Sequence, residues 1–207
     1  MAQHKIKVSG TGCALVDLLY TNIRFNSHSF SKYTSQQTGD GGLSPGKLVF
    51  TEELEEFSGR PYSSILQEIS TGVSPNTFNI GGPGLVSLIH AAQILPKDEF
   101  DVRFFGLTGN DPNADRIHEL LQKTPLNVSN YQTGSGKPTP FTDVFSDPTF
   151  DNGQGERTFV NNIGAAWDYF PANLPDDFFN SDIVCFGGTA LVPLIHDGLT
   201  GLQKKAK

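Results

Sequence analysis

The sequence predicts an α/β fold that consists of a core with a mostly parallel sheet and a separate, smaller β flap. Three observations support this. Short apolar strand patterns alternate with helical patterns along most of the chain. A hairpin pattern interrupts that order between residues 141 and 160. A composition of 37% hydrophobic and 18% charged residues over 207 residues is typical of a folded globular chain, with one folding unit as the default.

Strand patterns open the chain. Ile6 to Val8 begins an apolar strand, the Gly-containing run 9–12 predicts a turn, and residues 14–19 predict a second strand. The segment 22–79 is polar and rich in Gly and Pro. Two short helices are predicted within it, at 51–57, where Thr51 and two glutamates suit a helix start, and at 63–69.

The central segment follows a helix, strand, helix order. Apolar residues at helical spacing from Leu85 to Leu95 predict a helix with one buried face. Residues 100–107 predict a buried strand. Asp111 followed by Pro112 is typical of a helix N-cap and first turn, and the predicted helix ends before Thr124.

The remaining segment contains the predicted flap. Residues 141–145 and 157–160 alternate around a turn-rich stretch, which indicates a hairpin. This hairpin is expected to pair with the strand near Asp17, so that the flap is discontinuous in sequence. Residues 182–186 predict another buried strand, and 191–205 a final helical segment.

Charge and composition exclude several classes of function. A net charge of −7 and a pI near 5.1 argue against nucleic-acid binding, since the basic cluster is limited to Lys204, Lys205 and Lys207. Cys13 and Cys185 lack the spacing of a zinc site and are interpreted as reduced thiols, so no metal ligands are assigned. The N-terminus lacks a secretory h-region and no run is long enough to span a membrane. A cytoplasmic protein with no membrane partner is therefore expected.

Two glycine motifs are not interpreted as nucleotide sites. Gly41 to Lys47 has the spacing of a P-loop, but it follows no predicted strand, and Leu48 replaces the hydroxyl residue that would hold magnesium. Gly10-Thr11-Gly12 resembles the start of a dinucleotide fingerprint, but Leu15 stands where a third small residue is needed. A nucleotide-binding oxidoreductase rests on that second motif alone.

Asp17 and two glycines are the candidate ligand-binding residues. A carboxylate within an apolar strand is costly to bury without a partner, and it accepts hydrogen bonds from the hydroxyls of a polyol. A structural carboxylate with its own partners is the alternative. Gly81 and Gly82 precede a predicted helix, where a ligand could approach backbone amides at the positive end of the helix. A tight turn alone explains the same glycines.

Several blocks, taken in order, resemble the ribokinase-like (PfkB) carbohydrate kinase family. They are Gly10 to Gly12 with Asp17, Asn79 to Gly82, Phe105 to Asp111, Gly155 to Phe159 with Asn162 to Ala166, and Asp182 to Gly188. The resemblance implies a three-layer α/β/α core, incomplete here, with a β-sheet lid at about 17–30 and 138–165. The whole of 1–207 would be one such unit, truncated at its C-terminus.

The resemblance also implies an activity. It is ATP-dependent phosphorylation of a sugar hydroxyl, with ATP and Mg as the cofactors of a full family member. In that family the residues matching Asp17, Gly81 and Gly82 contact the sugar, and the lid closes over it. Lid residues are assigned to Phe141, Asp143 and Asn162, and a homodimer through the lid is expected.

Three departures from the family pattern matter. Val86 stands where the family has a sugar-binding Asn, and Ala114 stands where a Gly is usual. The family's catalytic base, adenine pocket and acidic magnesium motif are expected beyond the equivalent of Lys207, so no catalytic residue is assigned in this chain.

Two other functions stay open. The segment 43–57 resembles an insertion of adenosine-kinase-like members, which leaves nucleosides as acceptors. A non-catalytic protein that binds a polyol or oligomerises is the second alternative.

Overall fold

A computed structural model describes residues 5–206. Met1 to His4, which entered the interpretation of the N-terminus, and Lys207 of the basic cluster lie outside the described residues. The strands are β1 (Ile6–Gly12), β2 (Leu15–Tyr20), β3 (Leu48–Phe50), β4 (Thr77–Gly81), β5 (Phe100–Thr108), β6 (Asn127–Thr133), β7 (Phe141–Asp147), β8 (Glu156–Asn162) and β9 (Ile183–Gly187).

The helices include several of a single turn. They are α1 (His28–Ser31), α2 (Thr51–Ser58), α3 (Tyr62–Ile69), α4 (Pro83–Ile94), α5 (Pro112–Leu121), α6 (Phe150–Gly153), α7 (Asp176–Phe179), α8 (Pro193–Asp197) and α9 (Leu199–Lys205). Short 3₁₀ segments occupy Gly164–Asp168, Pro171–Asn173 and Thr189–Leu191.

The predicted helices and the predicted hairpin are confirmed. Both helices of the polar segment form, as α2 and α3, and Asp111 caps α5 with Pro112 in its first turn. The turn predicted at 9–12 is wrong, because those residues continue β1. The final helical segment is divided at Gly198 into α8 and α9.

The chain divides into two compact units. The first comprises the described residues of Met1–Val16, Ile80–Pro140 and Ile163–Lys207, and the second comprises Asp17–Asn79 and Phe141–Asn162. The second unit thus takes in residues 31–79, which the predicted lid does not include. No helix among residues 5–206 combines the length and the apolar character that crossing a membrane requires.

The first unit contains a four-stranded parallel sheet in the order β6-β5-β1-β9. Val8 of β1 lies opposite Val102 of β5 on one side and Ile183 of β9 on the other. The helix α4 packs against β1, β5 and β9 through Leu85 and Leu88, which are buried. Its apolar face follows from helical spacing, as the sequence predicted.

The second unit contains most of a five-stranded sheet in the order β3-β8-β7-β2-β4. The strands β7 and β8 are antiparallel, with Asp143 opposite Val160 and Thr142 opposite Asn161. β2 lies beside β7, which confirms the expected pairing of the flap with the strand of Asp17. One face of this sheet shares a hydrophobic core with α1, α2 and α3. The core residues are Tyr20, Ile23, Phe25, Phe30, Tyr33, Leu43, Val49, Leu54, Tyr62, Ile65, Ile69, Phe145 and Val160.

The two rejected glycine motifs have ordinary structural roles. The run Gly41 to Lys47 is a loop that leads into the short strand β3, so no helix begins at its Lys. Gly10 and Gly12 lie in β1, which is followed by another strand, β2, rather than by a helix. Neither segment has the strand, loop, helix order that phosphate binding by such motifs requires.

Candidate functional site

Asp17 lies on the face of the second unit's sheet that is opposite its hydrophobic core. Its neighbours Leu18 and Tyr20 pack in that core, and side chains alternate between the two faces of a strand. The Asp17 side chain is half-buried, and within residues 5–206 its carboxylate has no hydrogen bond or ion pair. Burial raises the pKa of Asp17 above its ordinary value. The carboxylate is therefore partly desolvated while its acceptor positions stay free.

Two further polar side chains share this face. Phe145 and Val160 point into the core, so Thr142 and Asn161, at odd spacing from them, point to the opposite face. The Asn161 amide donates to Thr142 Oγ1 at 2.8 Å and to the Phe141 carbonyl at 3.2 Å. Its Oδ1 has no hydrogen-bond partner in the described part of the chain, although the residue is 1% exposed. The face that carries Asp17 is thus lined by side chains with unused acceptor capacity.

The three predicted lid residues all lie on the core side of the same sheet. Phe141 stacks on Tyr62 with ring centroids 6.4 Å apart. The Tyr62 hydroxyl donates to Asp143 Oδ2 at 2.5 Å, and the Asn162 amide donates to Thr51 Oγ1 at 2.8 Å. Each side chain therefore contacts the helices of its own unit. The assignment of these residues to a lid over a ligand stays a prediction.

Sequence reasoning selected Asn162 and passed over Asn161. The two residues are adjacent, and a shift of one residue along a strand reverses the face. The signal that could separate them is the alternation of β8, in which Val160 packs in the hydrophobic core of the unit. Asn161 is buried as well, so burial alone does not identify the face that a residue occupies.

Gly82 belongs to a junction of backbone segments in the first unit. It precedes α4 with φ of 89°, and a Cβ atom there would lie 2.5 Å from the Cys13 carbonyl oxygen. The Leu85 amide donates to that carbonyl at 3.0 Å, and the Cys13 amide donates to the Gly187 carbonyl at 2.9 Å. Gly82 is therefore needed for the close approach of α4 to the end of β1, whether or not a ligand binds.

Gly81 ends β4 and lies in the first unit with Gly82, while Asp17 belongs to the second unit. Pro83, the first residue of α4, has no N–H, and the Leu85 amide is occupied by the Cys13 carbonyl. The amides that remain for a ligand at this helix start are correspondingly few. Contact of Gly81 and Gly82 with an acceptor stays a prediction.

Asp111 is a positioning residue of the first unit that sequence reasoning recognised only as a helix cap. Its Oδ1 accepts from the Ala114 amide at 2.9 Å and from the Thr139 hydroxyl at 2.7 Å, and its Oδ2 accepts from the Thr139 amide at 2.7 Å. Burial would raise the pKa of Asp111, but these donors outweigh it and lower the pKa. An ionised Asp111 thus fixes Thr139 to the start of α5.

The two departures from the family pattern occupy ordinary helical positions. Val86 is half-buried in the first turn of α4, where its amide donates to the Gly82 carbonyl at 3.0 Å. Ala114 is buried in the first turn of α5 and receives the Asp111 cap. Its methyl group is accommodated, so the absence of Gly there does not disturb the helix start.

No protein-family model and no curated protein sequence matches this chain. Solved structures do match. An adenosine kinase from Schistosoma mansoni in complex with adenosine has a TM-score of 0.64 at 18% identity, over 96% of this chain and 51% of that chain. An Anopheles gambiae adenosine kinase has a TM-score of 0.65 at 20% identity, over 95% and 51%. A ribokinase from Giardia lamblia has a TM-score of 0.59 at 15% identity, over 98% and 52%.

These likenesses establish the fold. The chain has a ribokinase-like α/β fold, with a parallel sheet in one unit and a mixed sheet in the other. It spans about half the length of the solved structures that it matches. The three structures compared above are two adenosine kinases and a ribokinase.

Proposed function

We propose that this chain is the acceptor-binding part of an ATP-dependent kinase that transfers a phosphoryl group to a hydroxyl of a carbohydrate. The observation that carries the proposal is Asp17. Its carboxylate lies in the interior of β2, is half-buried, and has no partner within residues 5–206. A carboxylate kept in this state is costly for stability unless a ligand supplies donors. The kinase-like fold then indicates what kind of ligand to expect.

The chemistry of the Asp17 face fits a polyol. An ionised carboxylate only accepts hydrogen bonds, and every sugar hydroxyl is a donor. Thr142 and Asn161 lie on the same face of the sheet, but both side chains are buried, so Asp17 is the group on this face that is assigned to ligand binding. In this proposal Asp17 binds and orients the acceptor, while contact of Gly81 and Gly82 with a ligand stays a prediction. No residue of the chain is assigned as the general base.

Phosphoryl transfer uses a magnesium ion, which one or two carboxylates commonly hold together with the phosphates of the nucleotide. No group of three or more His, Cys, Asp or Glu side chains within residues 5–206 is arranged to hold a metal ion. We therefore assign no step of the transfer to a metal held by these residues, and ATP enters only as the co-substrate of the proposed activity. The contribution of this chain is the positioning of the acceptor.

A nucleoside acceptor is the second candidate. The matched adenosine kinases have TM-scores of 0.64 and 0.65, against 0.59 for the ribokinase. The helix α2, which forms at the end of the segment 43–57 that resembles the adenosine-kinase-like insertion, is consistent with it. Both candidates place sugar hydroxyls against Asp17. They differ in whether the acceptor also carries a nucleobase.

Isothermal titration calorimetry with a panel of ligands tests the proposal. The chain is titrated with ribose, fructose and adenosine, and with 2′,3′-dideoxyadenosine as a matched control that lacks the sugar diol. We expect saturable binding of at least one sugar or nucleoside and a loss of binding for the dideoxy compound. Binding of adenosine without ribose would select the nucleoside candidate. Absence of binding for every hydroxyl compound would reject the proposal.

A further inference from the structure

A buried carboxyl group lies in the middle of the second unit. Asp143 is in β7, between the strands β2 and β8, and is 1% exposed. The Tyr62 hydroxyl donates to its Oδ2 at 2.5 Å, whereas its Oδ1 has no hydrogen-bond partner among residues 5–206. The residue is thus an acidic group in a hydrophobic core whose hydrogen-bonding capacity is only half used.

The groups that face Asp143 do not compensate a negative charge. Tyr20 from β2 and Tyr62 from α3 are neutral donors, and β8 presents Val160 opposite it. From α2, Glu55 accepts the Tyr62 amide at 2.6 Å, which adds no positive charge. None of the ion pairs in the described part of the chain includes Asp143. An ionised Asp143 is therefore a buried charge without a counterion.

We propose that Asp143 is a pH-sensitive element of the second unit: its neutral form fits the core, and its ionisation towards neutral pH weakens the fold of this unit. The inference rests on the packing of Asp143 alone and does not depend on the proposed kinase function. It concerns a carboxyl group on the core side of the sheet, whereas acceptor binding is assigned to the opposite face.

The direction of the effect follows from the titration of the two states. Burial raises the pKa of Asp143 to about 6 from 3.8, although the hydroxyls of Tyr62 and Tyr20 act in the opposite direction. A raised pKa in the folded state means that the contribution of Asp143 to folding stability is fully present below about pH 4. This contribution is lost as the pH rises through about 6. The equilibrium constant for folding should fall about a hundredfold over this window.

Other carboxyl groups of the unit have the opposite effect in a different window. Burial would raise the pKa of Asp147, but its donors, among them the Thr149 hydroxyl and the Phe25 amide, lower it to about 2. The pKa of Asp40 is lowered to about 2, chiefly because its carboxylate accepts a hydrogen bond from the Gly42 amide. These groups lose their contribution as the pH falls below about 4. The effect of Asp143 is therefore separable as a difference between variants above pH 4.

The first test compares the unfolding equilibrium of the wild-type chain and Asp143→Asn in urea between pH 4 and pH 8. The ratio of the variant's folding constant to that of the wild type should rise about a hundredfold across this range, because the amide cannot ionise. The control Asp147→Asn should show no such rise. A ratio for Asp143→Asn that stays constant with pH would overturn the proposal.

The second test uses the wild-type chain and Tyr62→Phe, and it covers the case in which Asp143→Asn does not fold. The ¹³C chemical shift of the Asp143 carboxyl in the native chain is followed against pH. We expect a midpoint close to 6 in the wild type and a higher midpoint in Tyr62→Phe, because the tyrosine donor favours the charged form. A wild-type midpoint at or below the ordinary value of 3.8 would refute the proposal.

Discussion

Arg103 joins the elements of the first unit through a nearly buried charge. It is 5% exposed in β5, and its guanidinium donates to Ser9 Oγ at 2.8 Å, to Ser181 Oγ at 2.8 Å and to the Asp177 carboxylate. Its guanidinium carbon also lies 5.4 Å from the centroid of the Phe105 ring. These contacts connect β5 with β1 and with the segment around α7.

We predict that Arg103→Met lowers the free energy of unfolding by about 2 to 3 kcal/mol, measured by urea denaturation. We expect a smaller loss in the free energy of unfolding than for a fully buried ion pair, because the Asp177 side chain is 52% exposed and can be solvated. The control is Lys123→Met, which removes an exposed pair with Glu119 and should cost less than about 0.5 kcal/mol. Equal losses for the two variants would contradict the assigned role of Arg103.

Asp17 gives a prediction about the pH dependence of acceptor binding. Burial raises the pKa of Asp17 above 3.8, and only the ionised carboxylate accepts hydrogen bonds at both oxygens. Acceptor affinity should therefore fall on acidification, and the fall should begin at a higher pH than for an exposed aspartate. Calorimetry across pH 4 to 8 measures it. In Asp17→Asn the affinity for the sugar or nucleoside should be lower at neutral pH and nearly independent of pH. A pH profile equal to that of the wild type would argue against the ionised Asp17 carboxylate as the group that binds the ligand hydroxyls.

At the scale of elements, glycines determine how closely the strands and helices of the first unit approach. Gly12 has φ of 139°, and a Cβ atom there would lie 1.8 Å from the Gly187 carbonyl oxygen. The sequence predicts this glycine to be part of a turn. In the structure it is a strand residue, and it is needed because the end of β1 runs against the end of β9.

Gly82→Ala tests the junction at the start of α4. The added methyl group would meet the Cys13 carbonyl oxygen at 2.5 Å with φ at 89°, so we expect a loss of at least about 2 kcal/mol in stability. Thermal unfolding followed by circular dichroism measures it. Gly136→Ala is the control, since nothing lies within 4 Å of its Cβ position, and it should change stability by less than about 0.5 kcal/mol. A tolerated Gly82→Ala would show that the junction is less tight than described.

Elements were predictable where their local signals were strong. Asp111-Pro112 fixed the start of α5, and apolar spacing identified α4. The strand β6 was missed because Asn127–Thr133 is mostly polar, as befits a strand at the edge of its sheet. The sequence could not show which residues of β7 and β8 face the hydrophobic core, because polar residues are buried on both faces: Thr142 and Asn161 on one, and Asp143 on the other. The candidate site was therefore predicted at Asp17 but not at Asn161.

At the scale of the whole molecule, β9 is an exposed edge. It pairs with β1 on one side and with no other strand of the described residues on its second side. Ile183 is 47% exposed there. Unpaired edges with apolar side chains promote association. We expect the chain to show concentration-dependent self-association in size-exclusion chromatography with light scattering, and Ile183→Lys to reduce it. A monomer at all concentrations would contradict this expectation, whereas association unaffected by Ile183→Lys would point to another surface, such as the proposed lid dimer.

The proposed binding of acceptor hydroxyls depends on Asp17, which is half-buried and has no partner among residues 5–206. The most direct measurement is the dissociation constant of the sugar or nucleoside bound by the wild-type chain, compared with Asp17→Ala and with the exposed control Asp151→Ala in the same unit. We predict a 5- to 150-fold weaker complex for Asp17→Ala, about 1 to 3 kcal/mol, and no change for the control. Equal affinities in all three proteins would contradict the account.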